Sequence, residues 1–536
     1  MEKKWWHKSV VYQIYPRSFN DTTGNGVGDI NGIIEKLDYL NELGVDVIWL
    51  SPVYKSPMKD NGYDISDYQD IDPLFGTLDD MDRLIKEANE REIKIVMDLV
   101  VNHTSDQHEW FKEARKSKDN PYRDYYIWRD EPSDLKSTFG GSAWTYDNTT
   151  GQYYFHNFAK GQPDLNWENP KVQDEIHNMI NWWLDRGISG FRMDVIDLIG
   201  KEIDKKIIGN GPRLHPLLQD MNKATFGNYD VLTVGETWGA NPEIAELYSS
   251  PSRKELSMIF QFEHMTLDWG EFGKWTPKEL DFKQLKQILS KWQTDLENGW
   301  NSLFWNNHDL PRIVSRWGND GIYRVESAKM LATILHMMKG TPYVYQGEEI
   351  AMTNVKFDSL HEYNDVEIHG TYRDIVEENK LITHDEFMNG VYIMGRDNAR
   401  TPMQWTRNEH AGFTNGLPWL KLNPNFIEIN VEDALNDPKS VFYTYKQLID
   451  LRKNSEYSDT IIYGDYQLIL ENHEAIFAYS RFDSDNELFV IANFTENEQS
   501  VDLGIDAKEV IVSNYIDTST KLELLRPYEA CVLKIK

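Results

Sequence analysis

Eight short, β-rich apolar runs, each closing on polar residues, limit what this chain can fold into. They are VVYQIYPRSF, GVDVIWLSP, IKIVMDLVVNHT, GISGFRMDVID, DVLTVGETWG, ELSMIFQFEH, NSLFWNNHD and TPYVYQGEE. Helical patterns lie between several of them, such as DINGIIEKLDYLNELG and TLDDMDRLIKEANERE, the latter opening on a capping-box pattern from Thr77 to Asp80. Strand followed by helix, repeated, builds a parallel sheet, and eight repeats close into a (β/α)8 barrel. The rhythm breaks twice. From His103 to Ile188 the chain runs far longer than a βα connection needs, through a stretch rich in Asp, Tyr, Gly and Trp. From Ser458 it reads as strands alone: TIIYGDYQLILE, AIFAYSRFD, LFVIANFT, EVIVSNY and ACVLKIK. The expected class is α/β: a TIM barrel (1–103 and 171–457), an inserted lobe after strand three (104–170) and a C-terminal antiparallel β-sandwich (458–536).

In such a barrel the polar strand ends gather at one mouth, where catalysis belongs. Here they are Asp98, Asn102 and His103 on strand three, Arg192 and Asp194 on strand four, Glu236 on strand five, and His308 and Asp309 on strand seven. The alternation in GFRMDVID (190–197) puts Phe191, Met193 and Val195 on one face and Arg192 and Asp194 on the other. Burying an arginine and a carboxylate is costly unless pairing or chemistry compensates. Three carboxylates at one site suit glycoside hydrolysis, in which one acid stays ionised at the reacting carbon and another protonates the leaving oxygen. Arg192 is expected to lower the pKa of Asp194, and the apolar setting of Glu236 beside Trp238 to raise its own.

The partner classes are bounded by charge. With 56 Lys plus Arg against 87 Asp plus Glu, the net charge of -31 repels nucleic acid and anionic membranes and favours a neutral small substrate. The aromatic fraction of 13% leaves rings to spare for stacking on sugars. A single cysteine, Cys531, excludes an internal disulfide and fits a reducing compartment. Neither a signal-peptide pattern nor a membrane span is visible, so a cytoplasmic monomer is expected.

DLVVNHTS (98–105), GFRMDVID (190–197), TVGETWG (233–239) and WNNHDLPR (305–312) resemble, in order, the four conserved regions of glycoside hydrolase family 13, the α-amylase family. QPDLNW (162–167) and the opening WWHKSVVYQIYPRSF resemble further family segments. The resemblance implies Asp194 as nucleophile, Glu236 as general acid and base, and Asp309 as the carboxylate that orients the sugar. It implies sugar contacts from His103, Arg192 and His308. MKDNGYDISDY and RDNARTPMQW are similar to the oligo-1,6-glucosidase-like subfamily, which implies a pair between Asp60 and Arg400 on the terminal sugar and stacking by Tyr63. Val195, directly after the nucleophile, implies α-1,6 preference, and Trp238 a wall for the second sugar. The implied activity is a retaining exo-α-1,6-glucosidase; a maltase, a trehalose-6-phosphate hydrolase and a non-catalytic carbohydrate-binding protein are the alternatives. No cofactor is expected in catalysis. DTTGNGVGD (21–29) is similar to a Ca²⁺ loop, with Asp21, Asn25, Val27 and Asp29 as ligands of a structural ion.

Overall fold

A computed structural model describes residues 2–504 and 506–535. Met1, Ile505 and Lys536, which fall in the outer expected segments, lie outside the described residues. All eight apolar runs are strands: β1 Val11–Ile14, β2 Val47–Leu50, β3 Lys94–Leu99, β4 Gly190–Met193, β5 Leu232–Thr237, β6 Met258–Gln261, β7 Ser302–Leu303 and β8 Thr341–Tyr345. They form one parallel sheet in the order β6-β5-β4-β3-β2-β1-β8-β7. A parallel bridge from Ile259 of β6 to Asn301, just before β7, links its two edges. Both faces of these strands are buried, which is why the runs read as nearly continuous apolar sequence. The helix Leu78–Asn89 opens on the Thr77–Asp80 capping box as expected, whereas DINGIIEKLDYLNELG splits into Ile30–Glu35 and Leu37–Leu43.

The stretch after β3 carries a three-stranded antiparallel sheet, Trp128–Arg129, Trp144–Asp147 and Gln152–Phe155. The helix Pro170–Asp185 follows the excursion and leads into β4. Lys201, buried beneath the excursion, ties it down: Nζ donates to Asn102 Oδ1 (2.6 Å) from the barrel and lies 3.1 Å from Asp164 Oδ2. A second excursion, hidden in the sequence, runs from β8 to the helix Val441–Asn454 and carries Val366–Thr371, His384–Met394 and the turn Asp397–Arg400.

The C-terminal sheet begins at Asp465, not at Ser458. Ser458–Tyr463 is a helix, because packing that buries Thr460, Ile461 and Ile462 outweighs the β-propensity of TIIY. The five strands β9 Asp465–Ile469, β10 Ile476–Phe482, β11 Glu487–Asn493, β12 Glu509–Ser513 and β13 Ala530–Lys534 are antiparallel, in the order β9-β10-β11-β13-β12. Their alternation buries both faces. Phe477, Tyr479, Val490 and Val532 join the barrel core, while Ile476, Ala478, Ile491 and Leu533 pack with Val501 and Leu525. The second layer of the expected sandwich is thin, a ribbon of Gln499–Ser500 and Leu524–Leu525.

Candidate active site

Arg192 organises the site. Its guanidinium is 1% exposed at the end of β4 and holds three carboxylates at once. Nη1 donates to Asp98 Oδ1 and Oδ2 (3.0 and 3.1 Å) and to Asp194 Oδ1 (2.9 Å), and Nη2 donates to Glu236 Oε2. Asp98 also accepts from Trp49 Nε1 (3.0 Å) and the Tyr63 hydroxyl (2.9 Å), so the third strand supplies a carboxylate that braces the arginine from behind. Glu236 accepts from Trp238 Nε1 at Oε1 (2.8 Å) and from the Val195 N–H at Oε2 (3.2 Å).

One positive charge shared among three buried acids leaves them under-compensated. Burial pushes Asp194 up to about 7 against the pull of Arg192, with Asp98 and Asp309 adding to the rise. Arg192 does pull Asp194 down as expected, but burial, with Asp98 and Asp309 adding to it, outweighs that pull. Burial likewise raises Glu236 to about 7, the expected direction although the Trp238 N–H pulls the other way, and raises Asp98 to about 6. Asp309 goes the other way. Against its burial, His308, Arg396, Arg400 and Arg192 hold it well below the ordinary carboxylate range. Arg400 Nη2 donates to Asp309 Oδ1 (2.9 Å), and Arg396 Nη1 lies 3.2 Å from the same oxygen.

Six more of the expected residues reach one cavity, whereas Arg192 and Arg400 are not on its wall, and two corrections apply. Asp60, Tyr63, His103, Val195, Trp238 and His308 all line a cavity of about 530 Å³ together with Asp194, Glu236 and Asp309. Asp60 does not pair with Arg400. Its Oδ1 lies 3.2 Å from Arg396 Nη2, while Arg400 turns to Asp309 and to the His308 carbonyl (2.9 Å). Arg396 in turn chelates Asp365 from the second excursion. Val195 also leaves the face it was assigned. The strand stops at Met193, and Val195 takes φ 36°, ψ 44°, which brings it round to the cavity.

The histidines are neutral and engaged. Burial lowers His103 to about 4 and His308 to about 3. A carbonyl acceptor, Tyr63 O at 2.9 Å, requires the proton of His103 on Nε2. Gln13 Nε2 meets His308 Nδ1 (2.8 Å), leaving Nε2–H for Asp309 Oδ2 (3.2 Å). Tyr63 stacks flat on His308, 4.9 Å between centroids. Trp238 stacks on Phe262 (4.0 Å) and stays 39% exposed. Sequence reasoning passed over Arg396, Glu367, Phe139 and Phe158, which also line the cavity. Arg396 stood within the quoted RDNART, but nothing marked Glu367.

The loop 21–29 is closed on itself. Asp21 accepts from the N–H groups of Thr23, Gly24 and Gly26 and from the Thr414 hydroxyl, and these bonds lower its pKa against its burial. Asp29 accepts from Thr22 and Gly32, and Asn25 from the Val27 N–H. Ca²⁺ needs six to eight inward oxygens. Here the side-chain oxygens of Asp21, Asn25 and Asp29 already accept from donors of the loop and its neighbours, so an ion would have to share them.

The raised acids predict a stability effect. An acid whose folded pKa lies above its unfolded value keeps its proton where the unfolded chain has lost it, so stability falls as pH rises from about 4 to about 7. Asp194→Asn and Glu236→Gln each remove part of that fall. By calorimetry each variant should melt a few degrees above the wild type at pH 8, with the gap closing near pH 4.

Comparison with known proteins agrees with this architecture. The pattern of the "Alpha amylase, catalytic domain" matches residues 13–463. The chain is 55% identical to a glucan 1,6-alpha-glucosidase of Streptococcus pneumoniae, covering 99% of both chains, and 56% identical to an oligo-1,6-glucosidase of Parageobacillus thermoglucosidasius over the whole of both. The crystal structure of a Bacillus licheniformis trehalose-6-phosphate hydrolase superposes with a TM-score of 0.92 at 48% identity, covering 99% of this chain and all of that one. The barrel, the strand-end carboxylates and these full-length matches together make the chain a member of the α-amylase family, glycoside hydrolase family 13.

Proposed function

We propose that the chain is a retaining exo-α-1,6-glucosidase that releases α-glucose from the non-reducing ends of isomalto-oligosaccharides, panose and short dextran. The observation that carries this reading is the meeting of Asp194, Glu236 and Asp309 in one cavity that is also lined by the Asp60–Arg396 ion pair. A charged pair among sugar-facing walls suits hydroxyl recognition, because a ligand that leaves it unpaired is rejected strongly.

In the first step an Asp194 oxygen bonds to the anomeric carbon as the bond from that carbon to the leaving oxygen breaks. Glu236 gives its proton to that oxygen. In the second, Glu236 takes a proton from water, the water oxygen bonds to the anomeric carbon, and the ester bond to Asp194 breaks. Two inversions give retention. A single guanidinium touching both acids holds them in one site, and retention calls for the two carboxyl groups to stand roughly 5 to 5.5 Å apart. Asp309, held ionised, suits hydroxyls whose bonds strengthen in the transition state. Trp238 would face the second sugar, and the Val195 side chain would set the α-1,6 preference.

A phosphorylated substrate fits less well, since each Lys or Arg among the residues lining the cavity already has a carboxylate within 4 Å: Lys274 with Glu367, Arg316 with Asp268, and Arg396 with Asp365. We read the protein as a cytoplasmic monomer, its lone Cys531 buried. Among the described residues no helix is long and apolar enough to cross a membrane. Catalysis should need no cofactor, so dialysis against a chelator should leave kcat unchanged in an initial-rate assay. The test of the function is a panel of isomaltose, isomaltotriose, panose, maltose and trehalose 6-phosphate, with the first product anomer read by NMR. The α-1,6 substrates should lead maltose by at least about tenfold in kcat/KM, the scale a shaped pocket achieves. A lead for trehalose 6-phosphate, or β-glucose as first product, would overturn the proposal.

A further inference from the structure

Val195 is a β-branched residue in the left-handed region, at φ 36°, ψ 44°. Such a residue is a true outlier, and strain of this kind persists only where the surroundings over-determine it. Its side chain is buried and lines the cavity, but a side chain there does not require this backbone. The peptide group gives a better reason. The Asp194 N–H still donates to Leu99 O of β3 (3.0 Å), so the strand geometry survives to the nucleophile itself. One residue on, the Val195 N–H meets Glu236 Oε2 at 3.2 Å, and the Val195 carbonyl accepts from Leu198 N–H (3.0 Å) in the turn that follows. The peptide bond that leaves the nucleophile therefore donates to the acid.

We propose, building on the glycosidase reading above, that the Val195 N–H is a positioning group that fixes which oxygen of Glu236 carries the catalytic proton. A carboxyl group offers about four lone-pair sites. At Oε2 two donors, Arg192 Nη2 and the Val195 N–H, occupy both sites. At Oε1, among the described residues, only Trp238 Nε1 donates, at 2.8 Å, which leaves one site for a proton. Protonated Glu236 is thus confined to the Oε1 tautomer. The same N–H stabilises the ionised form that must later accept a proton from water. Strain at residue 195 is the local consequence of aiming that N–H away from the sheet ladder and at the carboxylate. Glycine would take this backbone without strain, keeping the N–H and losing the side chain.

This separates two roles of one residue, and the test separates them too. Replacing valine 195 by its α-hydroxy analogue through nonsense suppression exchanges the N–H for an ester oxygen and leaves the side chain intact. On isomaltotriose, kcat/KM should fall about 10- to 100-fold, the scale of one hydrogen bond to a charged group. The basic limb of its pH profile should move up by about one unit, since the ionised acid loses a donor. Val195→Gly should keep the limb in place while altering linkage preference. An ester variant with wild-type rate and limbs would overturn the proposal. If the ester variant does not fold, selectively ¹⁵N-valine-labelled wild type answers the same question. One valine amide should titrate with the basic limb and lose that titration in Glu236→Gln; the absence of such a resonance in the wild type would equally overturn it. A wild type inactive on every α-1,6 substrate would instead refute the functional reading.

Discussion

Asp194→Asn is expected to lower kcat/KM on isomaltotriose by at least about 10⁴-fold with the fold intact, the loss typical when a covalent nucleophile is removed. The reason is chemical. An amide is nearly isosteric, and Asp98 and Glu236 still occupy Arg192, so the fork stays satisfied. What disappears is the oxygen that bonds to the anomeric carbon. Circular dichroism and the melting curve should confirm an intact fold. With Asp194→Ala, azide should enter the freed space and restore turnover as β-glucosyl azide, since one inversion replaces two. Near-normal hydrolysis by Asp194→Asn would remove this residue from the chemistry altogether.

Arg192→Met should be nearly as damaging, and on two readouts. Removing one partner of a buried ionic cluster costs about 3–5 kcal/mol because the remaining charges stay buried without a counterion. Here three acids lose the same cation. Their pKa values, already raised, should rise further, so the nucleophile would be protonated at neutral pH and kcat/KM should fall at least about 10³-fold. The stability loss has a sign to check. Below the raised pKa values the acids are neutral and the missing charge matters less, so the drop in Tm should be larger at pH 8 than at pH 5. An equal drop at both would mean that Arg192 acts by packing alone. Arg192→Lys should recover only part of either, since an ammonium is a point charge where the fork spans three partners.

The eight strands and the converging carboxylates were legible because their signals are local. A strand buried on both faces reads as an apolar run, and its last residues are polar where they reach the mouth. Other features depended on contacts that no short window contains. Arg396 and Arg400 stand four apart, either side of one helical turn, and only the tertiary packing assigns the first to Asp60 and the second to Asp309. The net rise of Asp194 lay outside the sequence for a similar reason: proximity joins it to Arg192, but the depth of its burial and the nearness of Asp98 and Asp309 are set by the packed barrel. TIIY has the composition of a strand and became a helix through burial. The excursion after β8 held no strand, so the rhythm of the chain passed over it.

The pairing of β1 with β8 bears on how the protein is made. β1 receives β2 on one edge soon after both leave the ribosome, but its other edge waits for Thr341–Tyr345. At a synthesis rate of about 5–20 residues per second, that wait is on the order of 15–60 s. Throughout it, a short apolar strand with unsatisfied N–H and C=O groups stands open to pairing with the wrong chain. The vulnerable period belongs to the nascent chain rather than to the finished enzyme. It places the limit on soluble yield in translation speed and early chaperone capture, and predicts little benefit from further strengthening the closed barrel.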